Sequence, residues 1–403
     1  MQSVLGLALE CVVGALGRTT GPSGVTLHRS PDAGRAQLAD SAFEFTSAVP
    51  SGVRFDLLTD ATDIELDVRL TVVLPPGMPA GGTVFDLVVD GELREPVVAT
   101  RQSLVFLDPV SGDLETRPAE PATVRFPLGP DSGERRVEIW LPVASTLELL
   151  DVRVPEGASV RAAPASGPLW VHHGSSISQC AEADRPTGTW PAIVARSAGL
   201  SLLNLGLGGQ CHLDPFMARA IRDLPADTIS LELGINVLNA DSMRERTFVA
   251  AFHGFLDTIR DGHPDTPILI ITPIVCPAAE SRPGPTLVGP DLRVHTVDRP
   301  AELALGALTL TRIRELLAQH VEQRRKDGDD GLRLIDGTAL FGPEDIADLP
   351  DGLHPNAAGY ARMAERFLPL SFGETPFPPS GDVPAVAAAG PSPAARSARP
   401  SSA

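Results

Sequence analysis

The chain predicts an α/β fold preceded by an all-β part, and three observations predict it. Residues 1–165 carry short β-prone runs with no helical pattern between them. From Leu169 onward, strand-like runs alternate with helical ones. Between the two lies a small-residue stretch, 155–168, rich in Gly, Ala, Ser and Pro, which suits a junction.

In the first part, the β-prone runs are Val53–Leu58, Ile64–Leu74, Val84–Val89, Val97–Leu107, Thr123–Leu128, Val137–Val143 and Thr146–Val154. Gly, Pro and Asp clusters at 75–79, 109–113 and 129–133 separate them. Many short strands so spaced predict an antiparallel sandwich or barrel. In the second part, Leu169–His173, Leu202–Leu205, Ile229–Leu233, Ile268–Thr272 and Leu332–Ile335 read as strands. Helices are expected at Trp190–Ala198, Pro215–Leu224, Arg244–Arg260, Pro300–Arg325 and Pro355–Phe367, the last begun by its proline. Such alternation predicts a parallel sheet covered on both faces over 166–371. Residues 372–403 are Pro, Ala, Ser and Gly for the most part and read as a disordered tail.

Composition narrows the function. The 403 residues are 43% hydrophobic, enough for two proper cores. A net charge of −18 argues against nucleic acid and anionic membranes as partners. Nearly every basic residue is Arg, with Lys326 the single lysine, a habit of composition rather than chemistry. The apolar start, Met1 to Leu16, lacks a basic flank and is interrupted by Glu10, so no secretory signal is expected. No run is long enough to span a bilayer, and a cytoplasmic protein is the expectation. The four cysteines, Cys11, Cys180, Cys211 and Cys276, match neither a zinc site nor a disulfide scaffold. Cys180 and Cys211 are expected as buried thiols, a disulfide between them being the alternative.

The polar residues of interest gather where an open parallel sheet binds ligands, beyond the carboxyl ends of its strands. The first strand runs into Gly174-Ser175-Ser176, the second into a glycine loop at Gly206, Gly208 and Gly209, and the third into Gly234-Ile235-Asn236. Acyl transfer needs a nucleophile and donors aimed at a developing oxyanion, and this set offers both. Asp351 and His354 stand three apart before the last helix. A serine hydroxyl needs such an imidazole to take its proton, and the imidazole needs a carboxylate to set its tautomer. Singly, each piece has a plain reading. Ser176 suits a helix N-cap, the glycines and Asn236 suit turns, and Asp351–Pro355 suits a helix start. The conjunction carries the claim.

At these residues the chain resembles the SGNH (GDSL-like) hydrolase family. Gly174-Ser175-Ser176 matches its Gly-Asp-Ser block, Gly209 its second-block glycine, Gly234-Ile235-Asn236 its Gly-x-Asn-Asp block, and Asp351 to Pro355 its Asp-x-x-His-Pro block. Ser175 and Val237 stand where the family has Asp. Over about Gly167 to Leu370, the resemblance implies a flavodoxin-like α/β/α sandwich. It also implies Ser176 as nucleophile, His354 as base and Asp351 as its partner. The Ser176 and Gly209 N–H groups and Asn236 would form the oxyanion hole. Gly174-Ser175-Ser176-Ile177-Ser178 with the run from Arg185 to Trp190 also looks like an actinobacterial branch with an N-terminal, carbohydrate-binding-like β-sandwich, which includes esterases and acyltransferases acting on glycosides or polyketides. The expected partner is therefore a small-molecule ester, possibly a glycoside or polyketide. The main reading is a serine esterase; acyl transfer to an alcohol and an inactive carbohydrate-binding protein are the alternatives.

No cofactor or metal is called for. His172 and His173 lack a matching carboxylate cluster, and His212, His253 and His263 read as surface or structural residues. The glycine loop lacks the surroundings of a dinucleotide site. A G-x-S-x-G elbow is absent, which argues against the α/β-hydrolase fold.

Overall fold

The computed structural model describes residues 1–371 apart from 109–110 and 131–132; the expected tail at 372–403 lies outside them. The N-terminal part builds two sheets. One has eight strands, with Asp63–Leu74 at its centre between Ser103–Leu107, Ala122–Pro127 and Ser145–Val154. The other has seven, centred on Arg54–Thr59, Arg135–Trp140 and Thr83–Val89. Alternation explains the pairing: Ile64, Leu66, Val68 and Leu70 are buried while the residues between them are not. They share a core with Phe55, Leu57, Phe85, Leu87, Val137 and Ile139 of the other sheet, so the two lie face to face as a sandwich.

This part holds more than the strands the sequence announces. Helices occupy Leu5–Glu10, Asp32–Leu38 and Ser41–Ala48. The last is capped by Asp40, whose side chain accepts from the Phe43 N–H at 2.8 Å, and Phe43 meets Phe216 edge-on at 5.3 Å. The expected strand Val97–Leu107 is in fact two. Val97–Ala99 pairs in the second sheet, and Ser103–Leu107 runs parallel to Asp63–Leu74 in the first. The chain switches sheets in the three residues between.

The second part is a five-stranded parallel sheet of β1 (Leu169–Gly174), β2 (Ser201–Gly206), β3 (Thr228–Glu232), β4 (Ile268–Ile271) and β5 (Leu332–Ile335). Their spatial order is 2-1-3-4-5, the flavodoxin-like order, whose switch point lies between β1 and β3. Its helices include α1 (Ser176–Gln179), α2 (Trp190–Ala198), α3 (Pro215–Asp223), α4 (Ile235–Asn239), α5 (Glu245–Gly262), α6 (Leu310–Lys326) and α7 (Ala357–Ser371), with a short turn of helix at Gly337–Leu340. On β4, Ile268 and Ile270 pack with Phe252, Leu256 and Ile313 of α5 and α6, while Leu269 and Ile271 pack with Trp190 and Phe367 of α2 and α7. Each strand thus buries both faces, which is why these runs read as continuously apolar.

Two helix starts differ from expectation. Helix α6 begins at Leu310 rather than Pro300, because Thr309 accepts from the Arg312 N–H at 3.1 Å and Gly306 sits in the left-handed region. Helix α7 begins after Asn356, whose side chain accepts from the Gly359 N–H at 2.9 Å, rather than at Pro355. Among the described residues, no helix is long and apolar enough to cross a membrane.

The two parts are joined through buried polar contacts. Arg29, fully buried, donates to the carbonyls of Val49 at 2.6 Å and Thr46 at 3.1 Å within its own part. Its Nη1 donates across to the Gly206 carbonyl at the end of β2, and the Nη2 that meets Thr46 also donates to Gln179 Oε1 at 3.2 Å. Ser51 Oγ donates to the Gln179 carbonyl at 2.6 Å, and Arg54 to that of Leu202 at 3.0 Å. Among the described residues no carboxylate pairs with Arg29, and burial pushes its pKa down to about 9. Replacing Arg29 by Met strips these carbonyls of their donor. With roughly 1–3 kcal/mol for each buried group left unpaired, the variant should lose at least about 3 kcal/mol of stability. Urea denaturation measures this, and an unchanged midpoint would show that the guanidinium does not hold the two parts together.

Candidate active site

The site is built at the carboxyl ends of β1, β2 and β3. After β1, Ser175 turns the chain in an extended conformation (φ −85°, ψ −158°), and its Oγ accepts from the Ile177 N–H at 3.1 Å as the N-cap of α1. Ser176 therefore occupies the first helical position, where a backbone N–H has no acceptor inside the helix. The turn is tied down from the neighbouring strand end. Glu232 of β3 accepts from the Ser175 N–H at 2.8 Å, from Ser175 Oγ at 2.6 Å and from Ser178 Oγ at 3.3 Å. Burial raises the pKa of Glu232, against the pull of those donors. The family's Asp is missing from position 175, yet a carboxylate still bonds the turn, supplied by another strand.

The loop after β2 approaches this turn closely. A side chain at Gly206 would put its Cβ 2.6 Å from the backbone of Ser178 and Gln179, so no larger residue fits. Gln179 Oε1, which Arg29 also contacts, accepts from the Gly208 N–H at 2.9 Å. Gly209 follows with φ +70° in a turn closed by the Gln210 N–H on the Leu207 carbonyl at 3.0 Å. Its own N–H has no acceptor in the protein among the described residues. Asn236, in α4, is oriented by the Cys211 N–H, which donates to its Oδ1 at 3.0 Å. That bond leaves the amide NH2 as the free end of the side chain.

Residues far apart in sequence complete the arrangement. His354 Nε2 lies 2.8 Å from Ser176 Oγ, and its Nδ1 lies 2.6 Å from Asp351 Oδ2. Asp351 Oδ1 accepts from the N–H groups of Leu353 at 2.9 Å and His354 at 2.8 Å, so the loop locks its own carboxylate. Burial would raise the pKa of Asp351, but the His354 bond and charge and these N–H groups outweigh it and bring the value to about 2. Burial would lower that of His354, but the charge of Glu182 together with the bond and charge of Asp351 lifts it to about 9. The arrangement can deprotonate a hydroxyl at Ser176 and stabilise the resulting imidazolium. Donors at Ser176, Gly209 and Asn236 stand on three adjoining strand ends.

The other sequence candidates lie apart from this chemistry. His172 is fully buried between Ser230 Oγ at 2.6 Å and Ser178 Oγ at 2.8 Å, and His173 bonds the Leu205 carbonyl at 2.8 Å. Burial above all pushes their pKa values down to about 3 and about 4, so both rings stay neutral. His263 is buried against the Ile221 carbonyl at 2.9 Å. His212 bonds Ser242 at the surface, and His253 pairs with His320 at 3.1 Å. Cys180 and Cys211 are free thiols rather than a disulfide.

Four contributors escaped the sequence reading: Arg29, Gln179, Glu182 and Glu232. Glu232 carried a signal, as the charged residue in an otherwise uncharged strand that packs on both faces. Arg29 and Glu182 carried none, because their partners come from distant segments.

The sequence model of the GDSL-like lipase/acylhydrolase family matches residues 173–362. Among solved structures, the salicylyl-acyltransferase SsfX3 from a tetracycline biosynthetic pathway is 30% identical over 89% of this chain and 93% of that one, with a TM-score of 0.72. The chain belongs to the GDSL-like lipase/acylhydrolase family, the SGNH hydrolases, with an N-terminal β part preceding the family domain. A Bacteroides ovatus protein described as a GDSL-like lipase shares the fold at 22% identity, over 91% of this chain and 96% of that one, with a TM-score of 0.63. So does a family two carbohydrate esterase from Clostridium thermocellum, at 16% identity, over 90% of this chain and 98% of that one, with a TM-score of 0.53. No curated protein matches the sequence.

All four thiols are buried, and burial raises the pKa of each. A chromogenic aryl disulfide should therefore release no thiolate from the native protein at pH 8 and four equivalents after denaturation. Fewer than four in the denatured, unreduced protein would reveal a disulfide.

Proposed function

We propose that this chain is a serine esterase that works through an acyl-enzyme on Ser176. The observation that carries this reading is the continuous contact from Ser176 Oγ through His354 to Asp351. In the proposed reaction His354 Nε2 takes the Ser176 proton as Oγ bonds to the ester carbonyl carbon. The Ser176 and Gly209 N–H groups and the Asn236 amide receive the oxyanion. Collapse breaks the ester C–O bond, and the alcohol leaves with the proton from His354. Water then attacks the acyl carbon and gives a proton to His354; collapse breaks the bond to Oγ, which takes that proton back from His354 as the acid leaves.

A second reading ends the same acyl-enzyme differently, with an alcohol of a glycoside or polyketide replacing water. The near full-length likeness to an acyltransferase at 30% identity favours it. Incubation with an acyl donor and candidate alcohols separates the two: free acid alone means hydrolysis, and a new ester means transfer.

A fluorophosphonate probe should label the protein at Ser176 and fail on Ser176→Ala, whose turnover should fall on the order of 10⁶-fold. A protein that binds carbohydrate without chemistry would not label at all. Asn236→Ala should lower kcat by roughly 10²–10³ with little change in KM. A change in KM alone would make Asn236 a substrate-binding residue instead.

The pH dependence follows from His354. Only neutral imidazole accepts the proton, and with its pKa raised to about 9 it is mostly cationic at neutral pH. The log of kcat/KM should therefore climb with unit slope to about pH 9 and then level. Asp351→Asn should slow the reaction on the order of 10⁴-fold. His172→Ala or His173→Ala should leave the limb in place; its loss in either, with survival in His354→Ala, would refute the assignment.

A further inference from the structure

The loop between α1 and α2 brings a second carboxylate to the imidazole. Glu182 Oε1 lies 3.7 Å from His354 Nδ1, too far for a hydrogen bond but well within reach of its charge. Nδ1 already donates to Asp351, so Glu182 does not set the tautomer. Its other oxygen, Oε2, accepts from the Tyr360 hydroxyl at 2.8 Å. Tyr360 is fully buried in α7, and burial raises its pKa well above the usual phenol range, so it remains a donor.

The strap carrying Glu182 is fixed at both ends. On one side Cys180, in the left-handed region, ends α1. On the other, the buried Asp86 of the N-terminal part accepts from Arg185 Nε at 2.8 Å and from the Thr187 N–H and hydroxyl at 2.7 Å. A carboxylate about a third exposed is thus held in one place rather than free to swing into solvent.

We propose that Glu182, anchored by Tyr360, is a positioning residue that works through His354, a second carboxylate favouring the imidazolium beside Asp351. This rests on His354 being the base. The other titratable or charged groups round the His354 loop are Asp351 within it, Cys276 after β4, Arg293, and Asp348, which bonds Asn356 and pairs with Arg362; the Ser176 hydroxyl faces it from α1. Glu182 and, from this list, Asp351 are the groups whose charges raise the pKa of His354. Glu182 therefore makes the base stronger but scarcer at neutral pH, and it stabilises the charge that His354 carries in the transition state.

The test follows the ring directly, in the full chain, by NMR titration of 15N-labelled histidine. The His354 resonance is assigned by its loss in His354→Gln. Glu182→Gln should lower the His354 pKa by about one unit or more, the effect of removing an opposite charge at this range. Tyr360→Phe should lower it in the same direction by less. Asp184→Asn, in the same strap, should leave it in place.

In kinetics the Glu182→Gln limb should move to lower pH, so kcat/KM rises several-fold at pH 7 while the alkaline plateau falls. A merely structural role would depress both together. A His354 that titrates in Glu182→Gln as in the wild type overturns the proposal. The titration needs no turnover, so it stands apart from the labelling test of Ser176.

Discussion

The buried guanidinium of Arg29 is the interaction on which the rest of the site depends. It lies in the N-terminal part, yet two of its contacts are the carbonyl that ends β2 and the side chain of Gln179 that ends α1. Gln179 in turn holds the Gly208 N–H. One cation thereby fixes the spacing between the turn that presents Ser176 and the glycine loop that presents Gly209. Among the described residues three main-chain carbonyls and the Gln179 amide oxygen, rather than a carboxylate, satisfy it, so its geometry does not vary with ionisation of a partner.

The same logic recurs at other points round the site, where a group is held by something from another segment. Glu232 on β3 holds the Ser175 turn of β1. The Cys211 N–H beyond β2 orients Asn236 beyond β3. Asp86, from the N-terminal sandwich, clamps the strap that carries Glu182. The switch point of the 2-1-3-4-5 sheet makes this possible, because it is where the loops of an open α/β sheet part to form the ligand crevice. Preorganised donors in such a crevice need no rearrangement as charge develops. The N-terminal part is thus more than a neighbour: Val88 and Trp140 share a core with Trp170 and Trp190 of the α/β part.

Much of this is legible in the order of residues. Alternation in Ile64–Leu74 and continuous apolar runs such as Ile268–Thr272 announced the two kinds of sheet, since burial on one face or on both leaves different periods. Helices at Asp32–Leu38 and Ser41–Ala48 stayed hidden because short segments have weak propensity and take their stability from tertiary contacts such as Phe43 on Phe216. Helix α6 starts ten residues beyond Pro300 because Thr309 caps it, and a cap is a local signal that the proline outshines in the sequence.

In the site, the sequence by itself determined the candidate set. Ser176, Gly209, Asn236, Asp351 and His354 each sit in a short local pattern at the end of an element, and local pattern is what a sequence carries. Asp351 and His354 even meet within one turn. The tertiary structure alone decided how those groups are tuned. The partners Arg29, Glu182 and Glu232 act across long gaps in the chain, from Arg29 to Gly206 and from Glu182 to His354. Electrostatic effects depend on distance and burial, and neither is written in the order of residues. Only the folded chain places a second carboxylate beside the imidazole and a lone guanidinium beneath the glycine loop.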